Sequence, residues 1–192
     1  DRFSGKPLWQ QQFAAVEPPG FGIKRLLDRR DPAFVSGGVG VGEGLVLIGT
    51  TQGEVIALDV ADGSERWRTR VGTEVGAAPT AGDGRVYVQT IDDRISALDV
   101  ETGDVAWTYD SQMPLLTLRG TSAPVFDQGV LYSGFANGKV VALRAENGEP
   151  IWEQRVMLPE GRSELDRIVD VDARVELDGT STVSYTHLRA HE

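Results

Sequence analysis

A motif that recurs three times restricts the possible folds more than any other feature of the chain. Its copies read ALDVADGSERW, ALDVETGDVAW and ALRAENGEPIW and occupy residues 57–67, 97–107 and 142–152. A glycine-led apolar run and a short turn precede each copy. Trp67 and Trp107 end the first two copies, and the repeat period is about 40 to 45 residues. A repeat of this kind indicates stacked copies of one small unit.

Each unit has the sequence pattern of four short strands. The apolar runs GLVLIGT, GRVYVQT and GVLYSGF are rich in residues that favour strands. Asp-Gly and Asn-Gly pairs between the runs favour tight hairpin turns. Four-stranded units at this period are typical of a β-propeller, in which the recurring tryptophan packs between units. We therefore predict an all-β fold, a partial β-propeller of four-stranded antiparallel blades.

Both ends of the repeat predict that the chain is a fragment of a larger ring. Asp1, Gly5 and Trp9 have the spacing of the Asp, Gly and Trp of the motif, so the chain should begin with the last strand of a blade. About three complete blades and two partial blades cannot close a ring. The predicted parts are a blade remnant at 1–9, blades at about 35–67, 76–107 and 122–152, and the start of a further blade at 172–182.

The last ten residues, 183–192, leave the repeat. They read VSYTHLRAHE and resemble a reading frame through a transposon-end sequencing adapter, so we predict a non-native tail. Peptide mapping of the natural protein would contradict this if it found these residues. His187 and His191 have a metal-ligand spacing, but nothing nearby completes a site, and we predict no metal.

Composition excludes several classes of function. The 192 residues include 19 basic and 29 acidic side chains, with a net charge of -10 and no cysteine. Such acidity disfavours binding to nucleic acid and to anionic membrane surfaces. The lack of cysteine excludes disulfides, thiolate zinc sites and a cysteine nucleophile. No apolar run reaches the roughly 18 residues that a membrane-spanning helix needs.

The units differ in length mainly in the connections that join one unit to the next. The interval from tryptophan to the next blade is 12 residues for Trp67–Pro79, 17 for Trp107–Pro124 and 22 for Trp152–Arg174, and the N-terminal interval, Trp9–Val39, is longer again at 30. We call residues 110–120 (DSQMPLLTLRG) the first enlarged connection and residues 158–172 (LPEGRSELDRIVDVD) the second enlarged connection. Equivalent connections of a propeller emerge on one face, so we expect these two to lie side by side there. Long loops on a rigid repeat scaffold usually carry function.

The side chains of the enlarged connections suit contact with another protein. Leu116 and Leu118 alternate as in an extended segment, and Arg119 offers a planar fork of donors. Asp170 and Asp172 offer acceptors, and apolar residues ringed by charges predict a protein-binding patch. A second interpretation stays open at this point. Arg119 could pair with either aspartate and tie the two connections together, while the leucines cap the disc.

The repeat resembles the tryptophan-docking repeat of quinoprotein-type propellers. Three further stretches resemble the BamB family, whose members are lipoprotein subunits of the β-barrel assembly machinery in Gram-negative outer membranes. The stretches are PLLTLRGTSAP at 114–124, SELDRIVDVD at 163–172 and DPAFVSGGV at 31–39. The resemblance implies an eight-bladed propeller at the periplasmic face of the outer membrane, held by a lipid upstream of Asp1.

The resemblance also implies a function. The protein would be a non-catalytic subunit without a cofactor that binds the periplasmic POTRA domains of BamA. Unfolded outer-membrane proteins are a possible second partner. Carried over to this sequence, the docking residues are Leu116, Leu118, Arg119, Asp170 and Asp172. No catalytic residue is implied.

Two other functions compete with this interpretation. A quinone-dependent dehydrogenase can use the same type of propeller, but it needs a carboxylate cluster for a cation and usually a vicinal disulfide. The sequence has no cysteine and shows no such cluster outside the enlarged connections. A generic propeller scaffold with another partner is the third possibility. Quinone absorbance of the purified full-length protein would distinguish the enzyme from the two binding functions.

Overall fold

The described part of the chain is built from strands. The computed structural model describes residues 5–11, 36–111, 121–156, 175–178 and 181–183. These residues form fourteen strands, and neighbouring strands in every sheet run antiparallel. Within these ranges no helix has the length and apolar character needed to cross a membrane.

Twelve of the strands form three four-stranded meanders in chain order. The first contains β1 (Ser36–Gly42), β2 (Leu45–Thr50), β3 (Glu54–Asp59) and β4 (Glu65–Arg70). The second contains β5 (Thr80–Gly82), β6 (Arg85–Thr90), β7 (Arg94–Asp99) and β8 (Val105–Asp110). The third contains β9 (Val125–Asp127), β10 (Val130–Gly134), β11 (Lys139–Arg144) and β12 (Pro150–Arg155). A hairpin of β13 (Glu176–Asp178) and β14 (Ser181–Val183) follows. The all-β prediction of four-stranded antiparallel blades is confirmed.

Tight turns join the first two strands of each blade, and their backbone explains the local sequence. In each turn two successive residues have a positive φ, which matches the type I′ hairpin turn and favours glycine at the second position. The pairs are Glu43–Gly44, Asp83–Gly84 and Gln128–Gly129. The non-glycine member of each pair is exposed to solvent.

The meander sends alternate turns to opposite ends of each blade. One end, here called the motif end, carries the type I′ turns and the β3–β4, β7–β8 and β11–β12 turns of the repeated motif. The other end, here called the loop end, carries the turns at 51–53, 91–93 and 136–138. The connections between blades also start from the loop end, after β4, β8 and β12.

The core lies between blades rather than within one sheet. Alternate residues of β6 point to opposite neighbours, so that Val86 and Val88 pack with Leu47 of the first blade. Tyr87 packs instead with Leu131 and Leu143 of the third blade. The central blade is thus buried on both faces, as expected for stacked propeller units.

Candidate functional site

The residues predicted to contact a partner lie outside the described residues. They are Leu116, Leu118, Arg119, Asp170 and Asp172. Their role stays a prediction, and so does the pairing of Arg119 with either aspartate. What the structure does describe is the frame from which both enlarged connections start, at the loop end of the second and third blades.

Each connection starts from an equivalent hydrogen bond at the loop end. The first residue after the outer strand donates its backbone N–H to the carbonyl oxygen of the third residue of the adjacent turn. The three bonds are Val71 N–H to Gly53 O at 2.9 Å, Ser111 N–H to Asp93 O at 3.0 Å and Val156 N–H to Gly138 O at 2.9 Å. The chain therefore leaves all three blades in the same register and at the same end, at Val71, Ser111 and Val156.

The turn at 91–93 departs from its two counterparts. Its third residue is Asp93, whereas the other two turns have Gly53 and Gly138 at this position. Asp93 adopts φ 57° and is only 1% exposed. Its Oδ1 accepts a hydrogen bond from the Ala136 N–H at 3.3 Å, and its Oδ2 lies buried without a donor among the described residues. Burial raises the pKa of this carboxyl to about 6.

A second carboxylate of the same turn is well satisfied. The hydroxyls of Thr90 and Thr73 donate to Asp92 Oδ1 at 2.5 and 2.8 Å. Burial opposes ionisation of Asp92, but these two hydrogen bonds outweigh it and lower the pKa of the carboxyl. The pKa values of these two adjacent carboxyls are therefore shifted in opposite directions. Asp93 Oδ2 is the acceptor that has no donor among the described residues.

Polar side chains link the second and third blades near this turn. Gln89 donates its amide N–H to the Gly134 carbonyl at 2.9 Å and accepts from the Ser133 hydroxyl. Asn137 Nδ2 donates to Ser111 Oγ at 2.9 Å. Buried polar groups joined in this way fix one relative position of two elements. The start of the first enlarged connection is thus tied to the following blade as well as to its own.

The motif end has a different, strictly repeated construction. Trp9, Trp67 and Trp107 each donate the indole N–H to a backbone carbonyl of the next blade. The acceptors are Val60 O at 2.9 Å, Val100 O at 2.8 Å and Ala145 O at 3.0 Å. The ring of each tryptophan covers the glycine of the next motif turn. A Cβ built on Gly63, Gly103 or Gly148 would lie 2.5–2.7 Å from ring carbons.

Trp152 is the fourth tryptophan of the repeat. It is 38% exposed and tilts against Tyr132 of its own blade, with ring centroids 6.2 Å apart. Trp67, which lies under the motif turn of the second blade, is only 8% exposed.

Sequence reasoning missed Asp93. The signal was present, because the turns read TQG, IDD and ANG, and only the middle one lacks glycine at its third position. In the described ranges no group of three or more His, Cys, Asp or Glu side chains is arranged to hold a metal ion.

Comparison with known proteins identifies the family. A family model described as outer membrane protein assembly factor BamB matches residues 1–189. A curated protein of that name from Xanthomonas campestris is 49% identical over 94% of this chain. The crystal structure of BamB from Moraxella catarrhalis has 30% identity and a TM-score of 0.76, covering 80% of this chain and 47% of that one.

Two further facts qualify the likeness. Quinohemoprotein alcohol dehydrogenase from Comamonas testosteroni has a TM-score of 0.56 at 19% identity, covering 78% of this chain and 31% of that one. At this identity the likeness concerns the fold alone. The chain spans 43% of the length of the Xanthomonas relative. On the family match and the sequence identity, the chain belongs to the BamB family of outer membrane protein assembly factors.

Proposed function

We propose that this chain is part of a non-catalytic subunit of the outer-membrane β-barrel assembly machinery and binds the POTRA domains of BamA through its two enlarged connections. Relatives that share up to 49% of its sequence are named outer membrane protein assembly factors. The observation that carries the proposal is that the chain leaves the second and third blades by equivalent hydrogen bonds at the same end, ahead of the two enlarged connections.

The proposed contact uses apolar anchors surrounded by charges. Leu116 and Leu118 enter a shallow apolar groove of the partner, and Arg119 makes charge-assisted hydrogen bonds. Asp170 and Asp172 either accept hydrogen bonds from the partner or hold Arg119 in position. Loss of one such anchor should weaken binding by about 2 kcal/mol, or about 30-fold in Kd.

The described frame supports this function because it is rigid where the connections start. Ser111 is held by the turn at 91–93 and by Asn137 of the next blade. Binding by a segment with a fixed start loses less conformational entropy than binding by a freely moving one. A packed propeller with variable connections is therefore suited to presenting contact residues to a partner.

The proposal includes a place of action and a second class of partner. We place the protein at the periplasmic face of the Gram-negative outer membrane, where it would assist folding and insertion of barrel proteins. Unfolded outer-membrane proteins are candidate secondary partners. The dehydrogenase alternative has only a fold-level likeness at 19% identity, and we propose no enzymatic activity.

The test is the affinity of the full-length gene product for immobilised POTRA domains of BamA. Leu118→Ala, Arg119→Ala and Asp170→Ala should each bind about 30-fold more weakly than the unmodified protein. Arg66→Ala is the matched control, since it removes an exposed arginine at the motif end. Unchanged affinity of all three variants, with a normal strand-rich circular dichroism spectrum, would reject the proposed docking site.

A further inference from the structure

Asp93 stands where the repeat otherwise uses glycine. Three hydrogen bonds establish the equivalence, because the third residue of each turn donates to the carbonyl of the residue three positions before it. They are Gly53 N–H to Thr50 O, Asp93 N–H to Thr90 O and Gly138 N–H to Phe135 O, all 3.1 Å. The three residues share a left-handed backbone, with φ of 79°, 57° and 75°.

Asp93 carries two costs that a glycine would not. A left-handed backbone is strained for a residue with a Cβ, although aspartate tolerates it better than most. A carboxylate that is 1% exposed also loses its hydration, and here one of its oxygens has no donor among the described residues. In the described ranges the other non-glycine residues with positive φ are Glu43, Asp83 and Gln128, which are all exposed and avoid this second cost.

The fold by itself does not require an aspartate at this position. Gly53 forms the same turn in the first blade, and its carbonyl accepts the same hydrogen bond from the start of the following connection. Local features that cost stability without an evident structural return tend to cluster at functional sites. The question is therefore what the Asp93 side chain adds.

The side chain of Asp93 ties its own turn to the turn of the next blade, whose Asn137 holds Ser111. Asp93 O accepts from the Ser111 N–H, and Asp93 Oδ1 accepts from the Ala136 N–H of the next blade. Asn137, the neighbour of Ala136, donates to Ser111 Oγ. Ser111 is thus bracketed by the turn of its own blade and by the turn of the following blade.

We propose that Asp93 is a positioning residue, whose side chain holds the neighbouring turn, and with it Asn137, against Ser111 at the start of the first enlarged connection. The inference rests on the proposed docking function, in which that connection carries Leu116, Leu118 and Arg119. Asp93 itself, being buried, does not touch the partner.

The test is Asp93→Gly in the full-length gene product, with both the midpoint of thermal unfolding and the affinity for POTRA domains measured. Glycine removes the strain and the buried charge, which offset the loss of the hydrogen bond to Ala136, so the midpoint should stay equal or rise. Affinity should fall about tenfold, because the turn whose Asn137 holds Ser111 is no longer tied to the second blade. Asp93→Asn keeps the side-chain acceptor and should bind within about twofold of the unmodified protein.

Asp83→Gly is the matched control, since it makes the same change at an exposed left-handed position of the motif end. It should leave affinity unchanged. Leu118→Ala, measured in parallel, separates the two proposals. If Leu118→Ala weakens binding and Asp93→Gly does not, the positioning role is wrong and docking stands. If Leu118→Ala has no effect on affinity, both the docking site and the positioning role are wrong. A lowered unfolding midpoint of Asp93→Gly would show that Asp93 serves the fold, which also contradicts the proposal.

Discussion

The motif end and the loop end of these blades differ in how regularly their sequences and contacts repeat. At the motif end, three tryptophans make the same hydrogen bond to the next blade within 2.8–3.0 Å, and each covers a glycine. At the loop end, the equivalent turns differ in sequence and the connections differ in length. The motif end joins consecutive blades by one repeated contact, whereas the repeated hydrogen bonds of the loop end use only backbone atoms and allow its side chains to vary.

The largest effect is expected from breaking the motif end. Trp67→Ala removes a buried indole and its hydrogen bond to Val100 O, and leaves a cavity between two blades. We expect a loss of about 3–5 kcal/mol in the free energy of unfolding, measured by urea titration. Leu118→Ala, in the first enlarged connection, should change this quantity by less than about 1 kcal/mol. Equal losses in both variants would contradict the division between the two ends.

A pair of glycine substitutions tests how tightly the Trp67 ring packs against the motif turn of the next blade. Gly103 and Gly84 have nearly equal φ, 76° and 70°, but only Gly103 lies under Trp67. Alanine at Gly84 should cost about 1 kcal/mol for backbone strain alone. Alanine at Gly103 adds a contact of 2.7 Å with the indole, and we expect about 2–3 kcal/mol more from overpacking. Urea titration of both variants gives the difference, and equal costs would show that the ring contact is not tight.

A pH series tests the buried carboxyl at the loop end. The pKa of Asp93 is raised to about 6 from an ordinary value of 3.8, so its charged form is disfavoured in the fold. The unmodified protein therefore loses stability as pH rises from about 4 to above 6, and this loss is complete at pH 7. Asp93→Asn cannot ionise and should be about 2 kcal/mol more stable at pH 7. The advantage should vanish near pH 4, where both side chains are neutral, and a constant difference in urea titrations would contradict this.

The smallest effect concerns a surface ion pair beside the first enlarged connection. Arg94 Nε lies 2.6 Å from Asp110 Oδ1, but both side chains are exposed. Exposed pairs contribute little and are screened by salt. Asp110→Ala should change the free energy of unfolding by less than about 0.5 kcal/mol in urea titrations at 0.15 M salt. A loss above about 1 kcal/mol would mean that this pair, rather than the backbone bond of Ser111, holds the start of the connection.

The fold was predictable because its signals are local. Each motif copy specifies two strands and their turn within eleven residues, and Trp67 and Trp107 mark where one unit meets the next. The acceptor of the Trp67 indole, Val100 O, lies 33 residues away in the sequence. Because this acceptor is a backbone atom, no pattern of side chains predicts it. The sequence predicted that the tryptophans pack between units, whereas the particular contact needed the structure.

The frame of the candidate site was less predictable. The leucines of the first enlarged connection are conspicuous because they interrupt a regular pattern. Asp93 is inconspicuous, since aspartate is common in turns and its burial depends on the neighbouring blade. Its contact with Ala136 spans 43 residues and arises only when two turns are brought together. Aligning the three turns exposes the missing glycine, but the buried carboxylate becomes evident only in three dimensions.

The central claim is that the loop end, and not the motif end, faces the partner. Site-specific photocrosslinking tests it directly in cells that carry the full-length protein. A photoreactive phenylalanine analogue at Thr117, between the two leucines, should crosslink to BamA. The same analogue at Thr102, an exposed motif-end turn residue, should not. Crosslinks to BamA from position 102 and none from position 117 would contradict the account.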